Sequence, residues 1–368
     1  MAQGLSSNAS DTCRAAGATH QLQAWRLTAA EFVQHVGGNP GQARRLYASC
    51  VRAALRQNLP DIEQEYAAGE LIKFTTRLAD GARVESVIIP MDSYRGARWR
   101  TLCVSTQAGC RMGCVFCETG AMGLLRHLDA GEIVAQRLLA RQILFRLYPP
   151  RNGPYRYDLD GIRNIVFMGM GEPLDNFPAL ARAIEILGDT AGLAFPLSHM
   201  TVSTVGVARG LEQLANWARE DVRRQKLRLA ISLHAADDDL RSALVPANRA
   251  LPLRQLKELL RAYPLPPRGL FLIQYVLLKG INDSEAHARQ LAAWCQDLPC
   301  VVNLIPYNPQ RAAAFQPPAE ERVLAFLHTL RAHGVFAKRR VTQGREVFAA
   351  CGQLAPNLHR APQNLRGA

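Results

Sequence analysis

Gln107-Ala-Gly-Cys110-Arg-Met-Gly-Cys114-Val-Phe-Cys117-Glu-Thr-Gly120 places three cysteines within eight residues, spaced by three residues and then by two. Iron–sulfur clusters are held by cysteine thiolates, normally four to a 4Fe–4S cube. Three ligands on one tight loop leave one iron open. An open position lets a metal bind a reacting molecule, as in three-ligand catalytic zinc sites. Gly109 and Gly113 give the backbone the freedom to bring the three sulfurs together. The alternative is a structural zinc site completed by a distant ligand such as Cys103 or a histidine. Zinc patterns, however, pair their cysteines differently.

Outward from this loop, apolar runs alternate with helical patterns. Strands are expected at 101–106, 162–168, 199–204, 227–233, 270–278 and 300–305. Asp129 and Glu132 form a capping-box signature ahead of Ile133, Val134, Leu138 and Leu139. Leu253, Leu256, Leu259 and Leu260 mark another helix, and Val323, Leu324, Leu327 and Leu330 a later one. Strands alternating with helices predict a parallel sheet of the α/β class. Right-handed crossovers curl such a sheet into an open barrel whose site lies at the C-terminal strand ends. Before it, residues 28–68 read as short helices, carrying Phe32, Val33, Val36, Leu46, Val51 and Leu55 at helical spacing. Residues 71–91 alternate as a hairpin turning at Asp80-Gly81. The division expected is a disordered tail over 1–20, an accessory domain over 21–97, the barrel over 98–354 and a tail over 355–368. The Pro-rich stretch 149–154 reads as a surface loop.

The chain of 368 residues is 48% hydrophobic, enough for one large domain and a small one. No run approaches the ~20 apolar residues of a membrane span, and Met1 to His20 has no apolar signal core. A cytoplasmic protein is expected. Nine cysteines then point to metal or redox chemistry rather than a disulfide scaffold. A formal charge of +13 favours a polyanionic partner. Lys338-Arg339-Arg340, Arg223-Arg224 with Lys226, and Arg44-Arg45 are candidate phosphate contacts, although each also fits a solvated face. Trp99 and Tyr94 fall near the expected entrance, where an aromatic ring can stack a base, although core packing is the favoured reading for Trp99.

Further landmarks are Thr101-Leu-Cys103-Val-Ser, Met168-Gly-Met-Gly-Glu-Pro-Leu174, Ser203-Thr-Val-Gly206, Ser232-Leu-His234, Gly280-Ile-Asn-Asp283, Asn303-Leu-Ile-Pro-Tyr-Asn-Pro309 and Ala349-Ala-Cys-Gly-Gln-Leu354. With the cysteine triplet, they make the chain resemble the RlmN/Cfr-type radical-SAM RNA methyltransferases. The resemblance runs from about residue 70 to Leu354. It implies a partial (β/α)6 radical-SAM barrel with a small N-terminal helical and hairpin accessory domain. It also implies a 4Fe–4S cluster on Cys110, Cys114 and Cys117, whose open iron chelates S-adenosylmethionine, two molecules being used per turnover.

The other roles are carried by the resemblance as well. Gly171, Glu172, Ser203, Ser232, Leu233, His234 and Asn308 are implied cofactor contacts. Cys351 is the implied methyl carrier, forming S-methylcysteine. Cys103 is the resolving thiol that forms a disulfide with it and releases the product, and Glu85 is the general base for the ring proton. An aromatic ring carbon is a poor nucleophile, which gives radical chemistry its purpose here. Arg98 and Arg100 precede Cys103 and are candidates for favouring its thiolate. The target implied is carbon 2 or carbon 8 of an adenosine, in large-subunit ribosomal RNA or in transfer RNA. The base must leave its stack to reach a pocket. An electron donor such as flavodoxin or ferredoxin is implied too.

Three places depart from the pattern: Gly344-Arg-Glu346-Val347 where Gly-x-Asp-Ile is expected, Ser198-His199-Met200 where two basic residues are expected, and Gln274 where glutamate is expected. Two other readings compete: a different adenine-directed enzyme on the same scaffold, and a non-catalytic iron–sulfur RNA-binding or electron-transfer protein. The latter has no use for both Cys103 and Cys351.

Overall fold

The computed structural model describes residues 23–53, 59–93, 96–148, 161–310, 315–340, 348–350 and 352–355. The expected tail over 1–20, all but Ala355 of the expected tail over 355–368, the stretch 149–154, Tyr94, Leu55, Gly344 to Val347 and Cys351 lie outside them.

One ten-stranded sheet organises the chain. Its strands are β1 (Asp61–Ala68), β2 (Leu71–Arg77), β3 (Arg83–Asp92), β4 (Arg98–Cys103), β7 (Ile162–Phe167), β8 (Met200–Thr204), β9 (Arg228–Ser232), β10 (Phe271–Leu277), β11 (Cys300–Pro306) and β12 (Ala337–Arg339). Two more, β5 (Gln107–Cys110) and β6 (Gly123–His127), form a separate antiparallel pair. The order in the large sheet is β1-β2-β3-β4-β7-β8-β9-β10-β11-β12. β1 to β4 pair antiparallel, and every pair from β4 to β12 is parallel. β1 and β12 remain as edges, so the parallel part is an open barrel. All six expected barrel strands are present, and β12 adds a short seventh.

Strand composition explains the burial. β10 reads Phe271-Leu-Ile-Gln-Tyr-Val-Leu277 and is buried at nearly every position. Such runs suit a parallel sheet that helices cover on its faces. The helix Ala130–Leu147 starts where expected: Asp129 Oδ1 accepts from the Glu132 amide at 2.8 Å, and Glu132 Oε2 accepts from the Asp129 amide at 3.0 Å. Leu102, Ile165, Phe167, Val202, Ile231, Ile273 and Leu304 are buried in one continuous apolar core that also takes in the covering helices.

One expectation needs correction. Residues 61–68 are not helical; they form β1, paired with β2 from Asp61↔Arg77 to Ala68↔Leu71. The expected hairpin forms, and β3 pairs onward with β4 from Asp92↔Arg98 to Val87↔Cys103. The helices Ala29–Val36 and Pro40–Ala53 do form. Among the described residues no helix is long and apolar enough to cross a membrane.

Candidate active site

The cysteine loop leaves β5 at Cys110 and ends in the short helix Glu118–Ala121. Gly109 has φ +76°, and a Cβ there would lie 1.9 Å from the Gly123 carbonyl oxygen. Only glycine allows β5 and β6 to meet this closely. Gly113 also takes the left-handed region, φ +66°. Cys110 and Cys114 are buried, Cys117 partly so. All three line one cavity of about 160 Å³ at the C-terminal strand ends.

Burial pushes the Cys110 thiol up to about 12 and the Cys114 thiol well above its usual range. Binding a metal there must therefore displace protons. Among the described residues no three Cys, His, Asp or Glu side chains close around a point as a single ion requires. Zinc needs its ligands at about 2.0–2.3 Å.

The strand ends supply the opposite wall. Gly171, Glu172, Ser203, Ser232, His234 and Asn308 all face the same cavity. Gly171 has φ +99°, and a Cβ there would meet Gln107 at 2.5 Å, so the turn after β7 can pack only with glycine. Glu172 Oε1 accepts from the Leu174 amide at 3.0 Å and Oε2 from the Val205 amide at 2.9 Å. Its carboxyl is nevertheless raised to about 7, chiefly by burial. Ser203 Oγ and Ser232 Oγ lie 3.3 Å apart. His234 sits at φ +62°, with its ring edge-on to Phe116 at 4.8 Å. Its Nδ1 accepts from the Val276 amide at 3.0 Å. The proton of the neutral ring is therefore on Nε2. Burial, with Arg241 nearby, lowers its pKa to about 3, so the ring is neutral at physiological pH.

Leu233 is off the wall. Its side chain is in the core, its amide donates to the Gln274 carbonyl at 3.0 Å, and its carbonyl accepts from Arg241 Nε at 2.9 Å. Glu85 and Cys103 are also off the wall, on β3 and β4. Glu85 is buried and paired with Lys73 Nζ at 3.0 Å, and its Oε2 accepts from the Ala355 amide at 2.9 Å. Burial raises its carboxyl, with the Lys73 charge opposing. The Glu85 carbonyl accepts from Ser105 Oγ at 2.6 Å, two residues beyond Cys103.

Cys351 is outside the described residues, but Gly352 after it lines the cavity. The Gly352 carbonyl accepts from the Glu118 amide at 2.8 Å, and the Leu354 carbonyl accepts from Thr119 Oγ1 at 2.5 Å. The C-terminal segment is thus bonded to the cysteine loop.

Several sequence expectations do not meet at the site. Arg98 is at the far end of β4 from Cys103 and is paired with Asp92 and Glu70, while Arg100 stacks over Tyr148 at 4.9 Å. Neither flanks Cys103. Trp99 shares that far end and stacks against Arg163 at 5.5 Å, so it is not at the entrance. Arg223 is paired with Asp221, and Arg224 with Glu185 and Glu220. Arg44 and Arg45 are exposed. The run Lys338-Arg339-Arg340 divides: Lys338 lies over the Phe336 ring, Arg339 pairs with Glu320, and Arg340 lines the cavity. Sequence reasoning did not name Tyr307 as a wall residue, and treated Gln274 only as a departure. Alternation along β10 was the available signal for the latter.

The raised Glu172 carboxyl has a testable consequence. Its folded pKa, about 7, lies above the ordinary value of 4.5, so the folded state holds a proton that the unfolded chain releases. Its stabilisation is full below pH 4.5 and is lost as pH rises to about 7, on the order of 3 kcal/mol for a shift of this size. Urea unfolding of the ligand-free protein across this window should show Glu172→Gln gaining on the native protein as pH rises. A pH-independent difference between the two would contradict the assignment.

The sequence signature of the radical SAM superfamily matches residues 104–292. A dual-specificity RNA methyltransferase RlmN of Lawsonia intracellularis is 39% identical over 334 residues, covering 90% of this chain and 89% of that protein. A probable RNA methyltransferase of Sorangium cellulosum is 41% identical over 358 residues, covering 93% and 84%. The crystal structure of a radical SAM methyltransferase from Sphaerobacter thermophilus superposes with a TM-score of 0.77 at 36% identity, covering 90% of this chain and 98% of that one.

Proposed function

The chain belongs to the radical SAM superfamily, in its RlmN-type group of RNA methyltransferases, and from this premise we propose that it methylates carbon 2 or carbon 8 of an adenosine in RNA. The observation that carries the reading is one cavity lined by Cys110, Cys114 and Cys117 on one side and by Glu172, Ser203, Ser232, His234 and Asn308 on the other. The three cysteines hold a 4Fe–4S cluster, and the strand-end residues hold S-adenosylmethionine. When bound, this pair supplies a carbon-centred radical by one-electron cleavage of the sulfonium.

The remaining work falls to the chain. The cavity wall is largely apolar, with Met112, Phe116, Phe167, Met168, Val276 and Ile305, and it excludes water from a reactive centre. Glu172, raised to about 7, accepts a hydrogen bond from the ammonium of the ligand and ionises in its presence. His234 offers Nε2–H. The Cys351 thiolate would displace the methyl group of one S-adenosylmethionine, whose remainder leaves as S-adenosylhomocysteine; the radical from a second would remove one hydrogen atom from that methyl group, so that its carbon bonds the ring carbon. The adduct would then give up one electron to the bound cluster and its ring proton to Glu85, whose proton affinity is raised by burial. The Cys103 thiolate would attack the Cys351 sulfur: the S–S bond forms, the bond from Cys351 to carbon breaks, and that carbon takes up a proton to become the methyl group of the product.

Arg340 is the one Lys or Arg on the cavity wall among the described residues. It supports a polyanionic substrate, as does the net charge of +13. Ribosomal RNA is the target proposed, with transfer RNA second, as the family resemblance implies. The test is mass spectrometry of nucleosides digested from RNA of a deletion strain after incubation with reconstituted enzyme, reductant and S-adenosylmethionine. A ring-carbon methyladenosine is expected. Methylation only at nitrogen or ribose, or none at all, would overturn the proposal.

A further inference from the structure

Gln274 has a buried amide with an unmet need. Its side chain is on the cavity wall and the residue is 5% exposed. Its Oε1 is buried and has no hydrogen-bond partner. A buried acceptor left without a donor carries a desolvation cost that native proteins seldom tolerate without reason. Exchanging the amide O and N would leave a donor in the same position, so the unmet need does not depend on that assignment.

The neighbours narrow what meets it. Gln274 is in register with Ser232 across β9 and β10, and Ser232 Oγ is 3.3 Å from Ser203 Oγ on β8. Three adjacent strands, spaced about 4.8 Å apart, thus present a row of two hydroxyls and a carboxamide to one cavity. The row has no charge. A phosphate would call for a cation here, and an ammonium is served elsewhere by Glu172. Hydroxyls that both donate and accept are the matching chemistry. A pair of neighbouring hydroxyls is the free cis-diol of a ribose. A nucleotide inside an RNA strand offers only its 2′-hydroxyl, because its 3′-oxygen is esterified.

Resting on the function proposed above, we infer that Gln274 is a further ligand-binding residue, whose carboxamide accepts a hydrogen bond from the ribose diol of S-adenosylmethionine. The carboxamide binds in either protonation state of Glu172, because it has no charge to lose.

The test uses the cluster-loaded protein and equilibrium dialysis of S-adenosylmethionine and its 2′-deoxy and 3′-deoxy analogues. Gln274→Met keeps the length and removes both polar atoms. It should weaken S-adenosylmethionine binding about tenfold, the scale of one buried hydrogen bond. It should also lose the native protein's discrimination against one of the deoxy analogues. Gln274→Glu, measured where its carboxyl is ionised, keeps an acceptor of the same reach and should retain affinity within about threefold. Melting of the ligand-free protein separates this role from a structural one. Removing an unsatisfied atom should leave the Tm of Gln274→Met unchanged or raised, whereas a structural amide would lower it. Unaltered S-adenosylmethionine affinity in Gln274→Met, a lowered Tm, or a loss confined to binding of an adenosine-containing oligonucleotide would overturn the inference. Failure of the native protein to bind S-adenosylmethionine would instead overturn the proposed function.

Discussion

Alanine at Cys110, Cys114 or Cys117 abolishes both iron–sulfur incorporation and reductive cleavage of S-adenosylmethionine. The expected loss is complete, because the loop supplies only three thiolates and a fourth position must stay open for the ligand. Two remaining thiolates cannot hold a cube that is normally held by four. The fold itself should survive. Cys110 and Cys114 are small buried side chains, and the loop keeps its backbone bonds from Cys117 N to Cys114 O and from Val115 N to Leu244 O, both 3.1 Å. Iron and sulfide analysis after anaerobic reconstitution, with chromatography of 5′-deoxyadenosine, measures both losses. A triple-alanine protein that retained full iron and sulfide would end the assignment.

The second large effect separates the two redox cysteines. Cys351→Ala removes the methyl carrier, so no covalent protein–RNA species forms. Cys103→Ala leaves the carrier in place and removes the thiol that releases the product. That variant should begin the reaction and stall, with RNA attached through Cys351. Denaturing gels after incubation with labelled RNA, reductant and S-adenosylmethionine distinguish the two outcomes. Normal turnover by Cys103→Ala excludes the resolving role, and a crosslink in Cys351→Ala excludes the carrier role.

The barrel was legible because its strands are short apolar-rich runs alternating with helical patterns, two of which, Ala130–Leu147 and Glu285–Cys295, begin in capping boxes. β7 to β11 follow the expected apolar runs to within a residue or two, and the Asp129 capping box forms as the spacing indicates. β1 was missed because Asp61-Ile-Glu-Gln-Glu-Tyr-Ala-Ala68 is rich in helix formers. Its partner β2 and the exposed edge position override that preference, as tertiary pairing commonly does. β12 has only three residues, too few for a period to show.

At the site, the cysteine triplet was readable from its spacing, whereas the strand-end residues were singled out only by the family resemblance. The basic runs were not readable, since sequence cannot tell which arginines find acidic partners. Arg223 and Arg224 are taken up by Asp221, Glu185 and Glu220, while Arg340 turns to the cavity. Gln274 became informative only once its Oε1 was seen without a donor.

The bonding of the C-terminal segment to the cysteine loop bears on how the protein is made. Glu118 N to Gly352 O, Thr119 Oγ1 to Leu354 O, Gln353 Nε2 to Pro309 O and Ala355 N to Glu85 Oε2 join the last described residues to parts of the chain made far earlier. A ribosome delivers residues in order, at about 5–20 per second. The three cysteines therefore leave the exit tunnel more than two hundred residues before the segment that closes over them. For that interval the loop lacks these late partners, and its shape rests on bonds already available to it, such as Cys117 N to Cys114 O.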